Sequence, residues 1–178
     1  MTRIVRAIGI SVVAALFCFP ALAGDLPIAT ADSAADGAIA QAGAVLDAPS
    51  VETPLHRLYC VEYARLRSGL AIFGNASQWW SRARNLYTEA TQPVTDAVMV
   101  FSRSRRIAKG HVAVVTRIVS AREIQVDQAN WQNHGEIDHA TPVLDVSADN
   151  DWSKVRVWDM RSGQFGTHVY PVSGFIAQ

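Results

Sequence analysis

Two residues in this sequence have the chemistry of a thiol nucleophile and its base. Cys60 stands in "RLYCVEYARL", and His111 opens the run "HVAVVTRIV". A cysteine at the start of a helix sits beside unsatisfied backbone N–H groups and the positive end of the helix dipole, which favour a thiolate. A histidine on a nearby strand can take the thiol proton and return it to a leaving amine. A third, polar side chain can hold the imidazole in the working tautomer. "VDQANW" offers Asn130 for that role, with Gln128 and Asp127 as alternatives. The competing reading of a lone cysteine is a small buried hydrophobe.

Whether Cys60 is alone depends on the fate of Cys18, the other of the two cysteines. The N-terminus has Arg3 and Arg6, then an apolar run from Ile8 to Phe19, then Ala21-Leu22-Ala23. That run is too short to span a bilayer, and the three parts together read as a secretory signal peptide cut after Ala23. Phe17 before Cys18 argues against lipid attachment. The expected mature chain is exported to the periplasm or beyond, free of the membrane and monomeric, with Cys60 unpaired. Cleavage removes two of the 16 basic residues and none of the 16 acidic ones, leaving a net charge of −2. A nucleic-acid binder would carry a basic excess, so that class is excluded. Residues 24–53 are rich in Ala, Asp, Gly and Ser and have no aromatic residue. They read as a flexible linker, which leaves 54–178 for one domain.

The elements that must position these residues follow from periodicity. Residues 60–68 read as a helix ended by Gly69, with Val61 and Ala64 on one face. In "FGNASQWWSRAR", Asn75 is a helix N-cap and Gln78 completes a capping box. Ala76, Trp80 and Ala83 then share the buried face, with Trp79 nearer the surface. "DAVMVF", "HVAVVTRIV", "EIQVDQANW", "SKVRVW" and "GTHVYPV" read as strands. Helices followed by a meander of strands predict an α+β domain with an antiparallel sheet. If Ala121-Arg122 is a two-residue hairpin loop, Val115 faces Gln128 and Ala113 faces Asn130. His111, Gln128 and Asn130 then share a face, with His111 one diagonal step from Asn130. A one-residue slip would bring Asp127 to that face instead.

The pieces "YCVEYAR", "FGNASQWW", "PVTDAVMVF", "GHVAVV" and "VDQANW", in this order and spacing, resemble the CHAP domain family of cysteine- and histidine-dependent amidohydrolases and peptidases. The later "DVSADNDWSKVRVW" resembles a bacterial subgroup, so the likeness runs from Leu55 to Val157. The resemblance implies a papain-like fold, with N-terminal helices packed on an antiparallel sheet. It implies cleavage of an amide bond in peptidoglycan through a thioester, as an N-acetylmuramoyl-L-alanine amidase or an endopeptidase. Cys60 maps onto the nucleophile and His111 onto the base. Many members carry glutamate where this chain has Gln128. Some phage members bind calcium through an acidic loop before the nucleophile. Here that position reads "PLHRLYC", without a carboxylate after Glu52, so neither metal nor other cofactor is expected. Tyr59, Trp79 and Trp131 are the aromatic candidates for a substrate groove. A catalytically decayed wall-binding or regulatory module is the alternative of another class.

Three other stretches invite a function. "HGEIDH" reads as a solvated loop, because its histidine spacing fits no familiar zinc pattern. "SADND" lacks the glycine and distal glutamate of a calcium loop and reads as a turn. "SRSRRIAKG" gathers Arg103, Arg105, Arg106 and Lys109 just before His111. It reads as a solvated loop or as a rim that attracts anionic wall peptides.

Overall fold

A computed structural model describes residues 46–178. The expected signal peptide, its cleavage site and most of the expected linker lie outside the described residues. In chain order the elements are β1 (Ser50–Glu52), α1 (Cys60–Ser68), a 3₁₀ turn (Ala76–Gln78) running into α2 (Trp79–Ala83), β2 (Thr88–Ala90), β3 (Val98–Phe101), β4 (His111–Ser120), β5 (Glu123–Ala129), β6 (Ile137–Asp145), β7 (Lys154–Asp159), β8 (Gln164–Phe165) and β9 (Tyr170–Ala177). Among the described residues no helix is long and apolar enough to cross a membrane.

α1 ends as its sequence requires. Gly69 takes φ 73°, the left-handed conformation open to glycine, and its N–H donates to the Arg65 carbonyl at 2.9 Å. The second helix has its expected capping box of Asn75 and Gln78, in which Gln78 Oε1 accepts the Asn75 N–H at 3.3 Å. It begins, however, as a 3₁₀ turn, in which residues three apart eclipse. That phase stacks Ala76 under Trp79, so Trp79 and Ala83 are fully buried and Trp80 is only half-buried. The expected order of the two tryptophans is reversed.

The fold itself departs from the expectation. β6 pairs with β5, β5 with β4, β4 with β3, β3 with β9, β9 with β7, and β7 pairs back with β6. Six antiparallel strands therefore close into a barrel, and the helices are two short elements on its outside. The papain-like α+β arrangement, helices packed on an open sheet, is corrected to a predominantly β structure. The closing strand β6 was not legible as a strand. It carries Pro142, which cannot donate to a ladder and usually argues against a central strand. It is also interrupted by a bulge opposite β5, where Ala140 has φ 49°. Asp127 Oδ1 accepts the Ala140 N–H at 2.9 Å and satisfies the donor that the bulge releases. The stretch "HGEIDH", expected as a loop, supplies the first three residues of β6.

Closure creates two cores. Inside the barrel, Met99, Phe101, Ala113, Val115, Ile124, Val126, Val155 and Phe175 pack together. On the opposite face of β3 and β4, Val98, Val100, Val112 and Val114 pack against Ala64, Trp79 and Ala83 of the helices. Alternation along β3 and β4 is what serves both layers. The β4–β5 hairpin turns at Ala121-Arg122 as expected, with Ser120 opposite Glu123. β4 then carries two bulges, one between Val115 and Arg117 and one between Ile118 and Ser120. Each adds one residue. Val115 thus faces Val126 rather than Gln128, and because the shift is even, the inward set keeps its face.

β1 lies within the stretch expected to be linker, and pairs with β6 from Ser50–His139 to Glu52–Ile137. An ionic clamp holds it. His139 bonds Glu52 Oε2 through Nε2 at 2.9 Å and Asp127 Oδ2 through Nδ1 at 3.0 Å. Tyr63 Oη donates to the same Asp127 oxygen at 3.4 Å. Only the imidazolium can donate to both carboxylates. Partial burial opposes that charge, but the hydrogen bonds and attraction from Glu52 and Asp127 outweigh it and raise the His139 pKa above its ordinary value. A raised folded-state pKa contributes stability below the unfolded histidine pKa and loses it as pH rises through the folded one. The melting temperature of the native protein should therefore fall over that rise, and His139→Gln should flatten this part of the profile. Identical profiles for the two proteins would show that the clamp contributes nothing.

Candidate active site

Cys60 is the first residue of α1. The residue before it, Tyr59, has extended backbone and no side-chain cap bond. Its carbonyl accepts the N–H groups of Glu62 and Tyr63, both at 3.0 Å. The N–H groups of Cys60 and Val61 are then left at the helix start, beside the sulfur. Cys60 is half-buried against the outer core. Burial pushes its thiol pKa up, and hydrogen bonding from the backbone of Val112, Val61 and Cys60 itself pulls the other way without cancelling it. Desolvation thus outweighs the helix terminus, and the resting group is a thiol rather than the expected thiolate.

His111 begins β4 on the inward face, where the barrel opens. Its ring is buried between Phe101 and Trp131, with centroids 5.5 Å and 4.8 Å away. Nε2 lies 2.9 Å from Gln128 Oε1. Since that oxygen only accepts, Nε2 carries the hydrogen and Nδ1 presents its lone pair. Burial pulls the imidazole pKa down to about 4, with the Gln128 bond opposing. His111 is therefore neutral at neutral pH and able to accept a proton. Among the described residues Nδ1 has no hydrogen-bond partner, and no hydrogen bond joins it to Cys60. Both residues line one open cleft of about 550 Å³.

The structure distributes the three candidates for the third position clearly. Gln128, fully buried, holds His111. Its own amide nitrogen is buried without a partner, which costs about 1–3 kcal/mol. Asn130 does not meet the imidazole. β5 ends at Ala129, and Asn130 takes φ 60°, which breaks the strand alternation, although Asn130 still lines the cleft with Cys60 and His111. Asn130 Oδ1 instead accepts Nη2 of Arg57 at 3.3 Å. Asp127 points to the other side, into the β1 clamp. The aromatic candidates also separate. Tyr59 is exposed on the cleft wall, Trp131 lines the cleft floor, and Trp79 is sealed in the outer core where substrate cannot reach it.

Sequence reasoning missed the contribution of the 3₁₀ turn to this cleft. Asn75 and Ala76 form part of its wall, and Ser77 N–H donates to the Lys109 carbonyl at 2.9 Å. Gly110 makes that approach possible. It has φ 72°, and a Cβ there would come 2.6 Å from Ser77 N and 2.8 Å from Phe101 O. Gly110→Ala should cost about 1–3 kcal/mol from backbone strain alone and displace the adjoining His111. Urea denaturation together with amide hydrolysis checks this; unchanged stability and rate would show that the turn tolerates a side chain.

A model of the CHAP domain matches residues 52–130. That stretch runs from the end of β1 through both helices to the end of the hairpin, and it holds Cys60, His111, Gln128 and Asn130. The resemblance read from the ordered motifs holds over it. Among solved structures the chain is similar to an N-acetylmuramoyl-L-alanine amidase from Staphylococcus aureus, with 21% identity and a TM-score of 0.44, over 65% of this chain and 30% of that chain. The chain thus spans less than a third of that protein. No curated protein matches.

Proposed function

We propose, on the premise of the CHAP domain at residues 52–130, that the chain is an exported peptidoglycan hydrolase that cleaves an amide bond with Cys60 as its nucleophile. The observation that carries this is the state of His111. It is buried and neutral, held through Nε2 by Gln128, with Nδ1 unpaired in the cleft that Cys60 also lines. Substrate in the cleft draws Cys60 and His111 to hydrogen-bond distance. Nδ1 takes the thiol proton as sulfur bonds to the amide carbonyl carbon. The N–H of Cys60 stabilises the oxyanion. The C–N bond then breaks, and Nδ1 returns the proton to the leaving amine. Water attacks the thioester, giving its proton to Nδ1, and the carboxylic acid leaves with the thiol restored.

Digestion of purified peptidoglycan, with products identified by mass, tests the reading. New free lactyl carboxylates together with peptides that begin at a free L-alanine amine identify an amidase, and new amines within the peptide identify an endopeptidase. Absence of soluble products, with Cys60 inert to a thiol reagent at neutral pH, would favour the decayed wall-binding module. Intact mass of the secreted protein should begin at Gly24. Retention of Met1 in the cytosol would remove the wall as substrate.

A further inference from the structure

The cleft has charge of one sign only. Of the side chains on its walls, Arg106 and Lys109 are the permanently charged ones, and His111 is neutral. Both cations are exposed, and among the described residues neither side chain has an ion pair or hydrogen bond. Arg57 adds a third cation on the Asn130 side, stacked 5.2 Å over the Tyr59 ring. No carboxylate lines the cleft. This runs against the expected mature chain, which is slightly acidic as a whole.

The backbone that carries these cations is also held in place. Their loop joins β3 to β4 and is closed by its own hydrogen bonds. Ser104 N–H donates to the Ile107 carbonyl at 3.3 Å, Gly110 N–H to the same carbonyl at 2.9 Å, and Arg103 Nε to the Ala108 carbonyl at 3.0 Å. Ile107 packs against the barrel core, and Ser77 fastens Lys109 through its carbonyl. A solvated loop would leave its cations to wander. Here two of them, Arg106 and Lys109, line the cleft that Cys60 also lines.

From this arrangement we infer that Arg106 and Lys109 form a subsite for a free carboxylate that the substrate carries beside its scissile amide. The preferred substrate is therefore an acidic peptide. This rests on the amide-hydrolase reading above and names the substrate feature that the same cleft selects. Two exposed charge contacts are together worth roughly 2- to 30-fold in rate, and the preference weakens with salt because exposed charges are screened.

The test uses the full mature chain and two synthetic peptides that share the bond identified in the digest. One carries a free carboxylate next to that bond; the other carries a carboxamide there. The native protein should hydrolyse the carboxylate peptide with a kcat/KM roughly 2- to 30-fold higher. Arg106→Gln with Lys109→Gln should erase the difference by raising KM for the carboxylate peptide alone. Arg105→Gln, which removes one exposed cation outside the cleft, should leave it. Hydrolysis of both peptides at equal rates by the native protein overturns the subsite and leaves the hydrolase reading standing. An equal loss on both peptides in the double variant, or erasure by Arg105→Gln, also overturns it. Inertness of the native protein toward both peptides and toward peptidoglycan overturns the hydrolase reading and the subsite with it.

Discussion

Cys60→Ala should abolish amide hydrolysis and leave the fold standing. The expected loss is on the order of 10⁶ in kcat, the cost of deleting a nucleophile that works as a unit with its base. The structural cost is small by comparison. Cys60 is only half-buried, at the edge of the outer core. The decisive comparison is single-turnover hydrolysis beside a thermal melt. A variant that melts like the native protein but does not cleave establishes the nucleophile. A variant that still cleaves makes Cys60 structural and removes the mechanism.

His111→Ala should lower turnover by roughly 10²–10⁴, the usual worth of a positioned acid–base group. What distinguishes the geometry is the order of the remaining variants. Gln128→Ala should follow His111→Ala, because it frees the tautomer that Gln128 Oε1 now holds. Asn130→Ala should matter little, since that side chain serves Arg57. Asp127→Ala should act on stability, by about 1–3 kcal/mol, through the Ala140 N–H it leaves buried without a partner. The pH profile gives an independent readout. Activity in the native protein should fall as pH drops toward about 4, where the imidazole protonates. Gln128→Glu would place a carboxylate against the ring, favour the imidazolium and move that limb to higher pH. If Asn130→Ala proves worse than Gln128→Ala, the hydrogen bond seen here is not the one that orients the base.

Residues close in the chain were read well. The helix at Cys60 and its stop at Gly69 depend on local backbone preference. So does the hairpin turn at Ala121-Arg122, and the strand periods around Val98, His111 and Glu123 were plain in the pattern. The face shared by His111 and Gln128 also followed, because the two bulges in β4 cancel in parity, whereas Asn130 leaves the strand at its left-handed turn. The partner of His111 did not follow. Whether Gln128 or Asn130 reaches the ring depends on how far each bulge displaces the strand and on the left-handed turn at Asn130.

By itself the sequence determined the reactive groups, their order, the first helix with its stop at Gly69 and the turn of the hairpin. All of these are set by covalent chemistry and by contacts a few residues apart. The tertiary structure alone decided the fold class and the electrostatic state of the site. β6 is a strand because β5 and β7 both accept it, and its own Pro142 and bulge argue otherwise until those neighbours are present. Likewise the Cys60 thiol and the His111 imidazole are both driven toward their neutral forms by burial. Burial is a property of the whole closed barrel and its helix layer, assembled from segments far apart in the chain, and no local stretch encodes it.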